Sequence, residues 1–322
     1  MINFNDVVLV WGESESSGMP AKSPSVSVGL WQEIVGSEWI RWNTSDIRNM
    51  PDVVRSAKVC IVNIFHTADS IHVEQIKQVD PSCYVLACPD APIDLVLDHP
   101  EWLNIHRQLL AADAIGGRTL ADCNVYSALL GKKSHYFPSP IGATEWFLPF
   151  RELPKEDYII TLDHSMSPAN TMCNVAAVQE LSRMTKLRVV YVAAREWTKR
   201  YADLAGLECT WLGHIPFTEM VDLTARAQYC VDIYMRHSYG RQQVLAAMVG
   251  TPTLGSNWCD DAPGFLIDPF EGDQGVFRFD KYINRGNRKV LIEDGYLAIK
   301  NTFSFDACRE RLVELLSIVE VA

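Results

Sequence analysis

The sequence lacks the features that mark membrane-spanning, secreted and metal-binding proteins. No run approaches the roughly 20 apolar residues that span a bilayer, and the first residues lack the basic region of a secretory signal peptide. The nine cysteines form no CxxC pair, and the eight histidines form no HExxH or HxH spacing. We therefore expect a cytoplasmic protein with reduced cysteines and no bound metal.

Positive charge and glycine-rich phosphate loops are also scarce. The formal net charge is −11, which argues against a protein that neutralises phosphates over a broad surface. Neither GxGxxG nor GxxxxGK[ST] follows the first apolar run, so an NAD or ATP enzyme is disfavoured. A basic strip of Arg107, Arg118, Lys132 and Lys133 would suit a polyanion, or it is simply a solvated face.

The chain does contain a large apolar fraction arranged in a regular alternation. Hydrophobic residues make up 48% of the 322 residues, enough for the cores of about two domains. Buried strands alternate with amphipathic helices, a pattern typical of parallel β-α-β units. Strands are predicted at 7–11, 39–42, 57–65, 84–88, 113–115, 158–162, 187–193, 208–212, 229–234, 253–255 and 264–267. Helices are predicted at 25–35, 68–79, 101–111, a stretch ending at 130, 170–184, 197–205, 218–227, 240–249 and 304–319.

The predicted fold class is therefore α/β, with two Rossmann-like domains that face a central cleft. The proline-rich residues 138–155 interrupt the alternation and are predicted to be the linker. The domains are then 1–145 and 155–303, with a helix at 304–322 that we expect to cross back onto the first domain. Ligands of such folds bind at the carboxyl ends of strands, most naturally in the cleft.

The most informative stretch is residues 237–252, HSYGRQQVLAAMVGTP. It follows a predicted strand and opens a helix near Gly240, where backbone N–H groups and the helix dipole attract phosphate. Arg241 falls in the first turn, where a guanidinium could grip a phosphate with two hydrogen bonds. The alternative is an ordinary helix start with a solvent-facing arginine.

Five blocks in this order carry a resemblance to a known family. They are ADAI at 112–115, FPSPIG at 137–142, LGHIP with EM at 212–220, the stretch at 237–252, and FSF with RERL at 303–312. Together they resemble the nucleotide-binding half of GT-B glycosyltransferases, in particular the large retaining family of group 1 glycosyltransferases. The resemblance covers residues 105–322 by motif and residues 1–104 only by architecture.

The resemblance implies roles for individual residues. The turn at Gly213, His214 and Ile215 would lie by the nucleotide base. The donor-binding residues that the resemblance and the strand ends suggest are Gly12, Glu13, His164, Arg195, Gly213, His214, Ile215, Ser238, Tyr239, Gly240 and Leu245. The candidates for catalysis and acceptor contacts are His237, Arg241, His66 and Asp90, with Asp94 as a further acceptor contact. No cofactor is expected, because the nucleotide-sugar, most simply a UDP-sugar, is itself a substrate.

Two departures from the family pattern concern this same site. The family's E-x7-E glutamates are replaced by His237 and Leu245, and a leucine cannot accept hydrogen bonds from ribose hydroxyls. The loop at 163–170 contains no Arg or Lys, where the family has a basic pair for the diphosphate. Arg236, Arg241 and His164 are the available substitutes.

The function we expect is transfer of a hexosyl or pentosyl group from a nucleotide-sugar to an acceptor hydroxyl, with retention. The acceptor would be a glycan, a small molecule or, against the acidic net charge, a hydroxymethylated DNA base of the phage type. One alternative is a non-catalytic GT-B-like module that binds a nucleotide or a partner protein. Another is a nucleotide-sugar epimerase with the same twin-domain shape. The oligomeric state is left open.

Overall fold

The chain divides into two compact units. The computed structural model describes residues 3–12, 30–37, 40–42, 46–64, 67–89, 105, 108–163, 168–193, 195–233, 240–256, 265–267 and 288–321. The first unit combines Met1–Gly142 with Phe303–Ala322, and the second is Ala143–Thr302. The change of unit falls between Gly142 and Ala143, inside the stretch 138–155, and the chain returns to the first unit at Phe303.

The first unit is built on a parallel sheet of six described strands in the order β2-β1-β3-β4-β5-β6. The strands are β1 (Val7–Gly12), β2 (Ile40–Trp42), β3 (Val59–Ile64), β4 (Tyr84–Pro89), β5 (Ala114–Gly117) and β6 (Lys133–Tyr136). Every residue of β3 is buried, as expected for a parallel strand that has helices on both faces. The strand order reverses between β1 and β3, so the carboxyl ends of these two strands flank the switch point.

Helices cover both faces of this sheet. The described α-helices of the first unit are α1 (Trp31–Val35), α2 (Asp52–Arg55), α3 (Ile71–Val79), α4 (Leu120–Leu130) and the C-terminal helix (Phe305–Val321). One face packs against α2, α3 and α4. The other packs against α1 and the C-terminal helix, whose stripe of Cys308, Leu312, Leu315 and Leu316 is buried. Each such aliphatic side chain contributes about 1.5–3 kcal/mol when it is fully buried.

The second unit contains another parallel sheet of six described strands, in the order β12-β11-β10-β7-β8-β9. They are β7 (Tyr158–Asp163), β8 (Arg188–Ala193), β9 (Thr210–Leu212), β10 (Tyr229–Asp232), β11 (Thr253–Ser256) and β12 (Phe265–Ile267). This is the Rossmann order 3-2-1-4-5-6 when read from β9. The order reverses between β7 and β10, and the carboxyl ends of these strands form the second switch point.

The helices of the second unit lie before, between and after its strands. They are α5 (Leu148–Arg151), α6 (Pro168–Thr185), α7 (Glu196–Leu204), α8 (Phe217–Arg226), α9 (Arg241–Met248) and α10 (Arg288–Phe303), the last of which ends at the return to the first unit. The C-terminal helix Phe305–Val321 is therefore α11. The α/β class with two Rossmann-like sheets is confirmed.

Two other sequence-based expectations concern the same described residues. The described residues include eight cysteines, none of which is in a disulfide, and Cys259 lies outside the described residues. None of the helices in the described part of the chain is long and apolar enough to cross a bilayer.

Candidate functional site

The switch point of the second unit is held by an asparagine from a neighbouring helix. Asn174 on α6 is 3% exposed, and its Nδ2 donates to the backbone oxygen of Ile233 at 3.2 Å. The backbone N–H of Ile233 donates in return to Oδ1 of Asn174 at 2.8 Å. Ile233 directly follows β10 and is fully buried. A buried polar group without a partner costs about 1–3 kcal/mol, so this side chain stabilises the point at which the backbone leaves the sheet.

A glutamine from the following helix holds the neighbouring residue. Gln243 on α9 is 2% exposed, and its Nε2 donates to the backbone oxygen of Asp232 at 3.0 Å. A Cβ on Gly255 of β11 would lie 2.6 Å from Cδ of Gln243, so only glycine leaves room for this carboxamide. Oε1 of Gln243 is buried and accepts no hydrogen bond in the described part of the chain.

Helix α9 begins directly after a glycine in a left-handed conformation. Gly240 is buried and has φ +65° and ψ +43°, a left-handed conformation that side chains disfavour. The N–H of Val244 donates to the oxygen of Gly240 at 2.9 Å, so the helix starts at Arg241. In α-helices generally, the first N–H groups have no acceptor within the helix, and the helix dipole adds attraction for an anion. Leu245, at the position of the family's second glutamate, is buried at 4% exposure.

Other predicted donor residues lie at the same edge of this sheet. Arg195 is exposed and precedes α7, just after β8. Gly213 and His214 are exposed and Ile215 is half-buried, just after β9. Because all strands of the sheet are parallel, these turns lie at the carboxyl ends, on the side of β8 and β9.

The remaining predicted residues are described only in part or not at all. Gly12 is the last residue of β1, in the first unit, and Arg241 is the first residue of α9. The residues outside the described part of the chain are Glu13, His66, Asp90, Asp94, His164, Arg236, His237, Ser238 and Tyr239. The roles of all these residues stay predictions.

Cys230 lies in β10, two residues before the end of the strand, and is fully buried. Burial raises the pKa of the Cys230 thiol well above its usual range, and the neighbouring Asp232 adds to this effect. Because the thiolate is the nucleophilic form, this side chain is an inert core residue rather than a nucleophile.

The first unit has a buried polar pair that the sequence did not reveal. Arg118, just after β5, is 6% exposed, and its Nη2 donates to Oδ1 of Asn63 on β3 at 2.8 Å. Its Nη1 donates to the backbone oxygen of Phe137 at 3.2 Å. The prediction that Arg118 belongs to an exposed basic strip is therefore wrong. Its guanidinium connects β3 with the residue that follows β6 and does not face solvent. Lys132 also turns inward, donating to the oxygen of Ala112 at 2.9 Å, and Arg107 lies outside the described residues.

Sequence reasoning missed Asn63, Asn174 and Gln243 as well as the burial of Arg118. One signal was present, because Asn63 and Asn174 interrupt the apolar stretches VCIVNI and TMCNVAAV, and Gln243 directly precedes the apolar stretch VLAAM. A polar amide inside such a run has to find a hydrogen-bond partner when the run is buried. The sequence does not say which backbone group that partner is.

Comparison with solved structures shows the GT-B fold. Trehalose-6-phosphate synthase OtsA superposes with a TM-score of 0.71 at 9% identity, over 97% of this chain and 98% of that one. HepE from Anabaena, solved with UDP and glucose, gives 0.68 at 10% identity over 97% and 99%. An α-glucosyltransferase solved with UDP-glucose and DNA containing an abasic site gives 0.65 at 11% identity over 98% and 99%. Neither a protein-family model nor a curated protein matches the sequence.

Proposed function

We propose that the protein is a glycosyltransferase that moves a sugar from a nucleotide-sugar donor to an acceptor hydroxyl. The observation that carries the proposal is the buried helix start at Gly240, beside the switch point of a Rossmann-ordered sheet. A backbone turn of this kind binds phosphate oxygens without needing a lysine. The GT-B fold supports the assignment, because the compared structures with bound nucleotides contain UDP or UDP-glucose.

The donor in this proposal is a UDP-sugar that extends along the carboxyl edge of the second sheet. Gly240 and Arg241, with Ser238 and Tyr239 before them, hold the diphosphate. The nucleoside reaches toward β8 and β9, where Arg195 and the turn at 213–215 supply contacts. His237 takes the place of the family's first glutamate and binds a sugar hydroxyl.

Catalysis then consists of orientation and charge stabilisation, because negative charge grows on the departing diphosphate. The N-terminal dipole of α9 and Arg241 supply that stabilisation, since the loop at 163–170 contains no Lys or Arg. The acceptor oxygen bonds to the anomeric carbon on the face from which the diphosphate leaves, as the bond between that carbon and the diphosphate oxygen breaks. The hydroxyl proton passes to the departing diphosphate on the same face, so the configuration is retained. His66 and Asp90 of the first unit are the proposed acceptor contacts. With a net charge of −11, a glycan or small molecule suits the protein better than a DNA base.

A titration with nucleotides tests the donor part of the proposal. The panel is UDP, GDP, ADP and TDP with the glucose ester of each, and thermal unfolding is the readout. A ligand at 100 times its Kd stabilises the folded protein by about 2.7 kcal/mol. We expect stabilisation by UDP and UDP-glucose that exceeds that of the other bases. No stabilisation by any member at millimolar concentration would overturn the proposal.

The second candidate function is a GT-B-like module that binds a nucleotide without transferring a sugar. Leu245 supports it, because a buried leucine stands where the family has a ribose-binding glutamate. The two candidates differ in turnover. A glycosyltransferase releases UDP from bound UDP-glucose when an acceptor is added, or slowly to water, whereas a binding module leaves the donor intact.

A further inference from the structure

We propose that Asn174 and Gln243 are positioning residues for the donor diphosphate site. They hold two consecutive backbone residues, Asp232 and Ile233, at the end of β10. Through these bonds Asn174 fixes where the backbone leaves the sheet, and Gln243 connects that point to the start of α9. The inference rests on the proposed function, because it assumes that a diphosphate binds at the start of α9.

Asn174 reaches from its own helix to the end of a different strand. The side chain belongs to α6, which follows β7, yet both of its hydrogen bonds reach the end of β10. Strands β7 and β10 are the neighbours at which the strand order reverses. One carboxamide therefore connects the two halves of the sheet at the place where Rossmann folds bind their ligands.

Gln243 joins the first turn of α9 to the preceding strand. This residue lies in the first turn of α9, three positions after Gly240, and donates to the oxygen of Asp232. It therefore connects the start of the helix directly to the end of the preceding strand. The absence of a side chain at Gly255 lets the carboxamide reach that oxygen.

The positions of the backbone N–H groups at the start of α9 determine how well a diphosphate binds there. A diphosphate that binds backbone N–H groups needs donor distances near 2.9 Å and nearly straight hydrogen bonds. Small displacements of such donors weaken binding and orientation, even when the protein remains folded. Asn174 and Gln243 are both buried, so neither needs to touch the ligand to affect it.

The first experiment compares Asn174→Ala with Gln179→Ala. Gln179 lies on the same helix and donates to the backbone oxygen of Ala205 at 3.4 Å, on an exposed face of the helix. The readouts are the Kd for UDP by calorimetry, well below the unfolding temperature, and the urea midpoint. We expect the Kd of N174A to rise about tenfold or more, and that of Q179A to stay within twofold. A lowered midpoint with an unchanged Kd would mean a purely structural role and overturn the proposal.

The second experiment is a double-mutant cycle that does not depend on N174A folding. Gly255→Ala pushes the Gln243 carboxamide away from Asp232, so we expect a raised Kd for UDP. In the Gln243→Ala background that obstruction is gone, so adding G255A should leave the Kd unchanged within twofold. An equal effect of G255A in both backgrounds would contradict the role of Gln243.

Binding measurements on the wild-type protein distinguish failure of the proposed function from failure of the positioning roles. If wild type binds none of the nucleotides in the panel, the proposed function fails and the positioning roles fail with it. If wild type binds UDP and all variants bind it equally, only the positioning roles fail.

Discussion

Replacing Gly240 by alanine should weaken nucleotide binding and stability together. The residue has φ +65°, and the left-handed conformation costs a residue with a Cβ about 1–2 kcal/mol. We expect the free energy of unfolding to fall by about that amount if the helix start is retained. A retained helix start would place a methyl group next to the first N–H groups of α9, and a relaxed backbone would move those groups, so both responses weaken a diphosphate site. The Kd for UDP should therefore rise, by about tenfold for each 1.4 kcal/mol of lost binding energy.

A second glycine of the same unit provides the control. Gly206 has φ +70°, is exposed at the end of α7, and a Cβ there would meet no atom within 4 Å. G206A should lose a similar free energy of unfolding in urea, yet its Kd for UDP should match wild type. If G240A also keeps the wild-type Kd while losing stability, the start of α9 does not bind the diphosphate. If G240A loses no stability, the backbone conformation assigned to Gly240 is wrong.

Three further predictions test the packing and electrostatics of the two units. Leu9 is fully buried in β1, so Leu9→Ala should lower the free energy of unfolding by about 2–5 kcal/mol. Leu204 is 79% exposed, so Leu204→Ala should change it by less than about 0.5 kcal/mol. Similar urea midpoints for the two variants would refute this prediction. Arg151 forms an ion pair with Glu293, donates to the carbonyls at the end of α9, and lies 4.1 Å from the Tyr296 ring centroid. Arg151→Ala should therefore destabilise the second unit more than Glu293→Ala, which removes only the ion pair. Equal losses in the free energy of unfolding would contradict this prediction. Burial lowers the pKa of His72, so the unfolded state binds the proton more readily and stability falls as the pH drops below about 6.5. His72→Phe should make the urea midpoint less dependent on pH in this range. An unchanged pH profile would show that His72 does not cause the loss of stability.

Most of the second sheet could be predicted from the sequence because its strands are buried on both faces. Such strands are near-continuous apolar runs, and β7 and β8 fall within one residue of the predicted 158–162 and 187–193. Their alternation with helices fixes a parallel sheet. It does not fix the order of the strands, which depends on packing between distant parts of the chain.

The missed elements have local physical reasons. Strand β6 (Lys133–Tyr136) lies at the edge of its sheet and reads KSHY, which has no apolar run. Helix α10 contains Gly295, which disfavours a helix by about 1 kcal/mol relative to alanine. Its inward residues Ile299 and Phe303 are nevertheless fully buried, and packing outweighs that cost.

The candidate site was predictable only where the backbone itself provides the chemistry. Gly240 stands out in the sequence, because a glycine between a strand and a helix indicates a special backbone conformation. Asn174 and Gln243 do not stand out, since their partners are backbone atoms 59 and 11 residues away. Such contacts follow from the three-dimensional arrangement of the strands.

Hydrogen–deuterium exchange of the protein with and without UDP tests the central claim most directly. We expect UDP to slow exchange at Gly240, at residues 241–244 in the first turn of α9, and at Ile233. The strands of the first unit should exchange at unchanged rates. If UDP binds but exchange at the start of α9 is not slowed, the assignment of the donor site is contradicted.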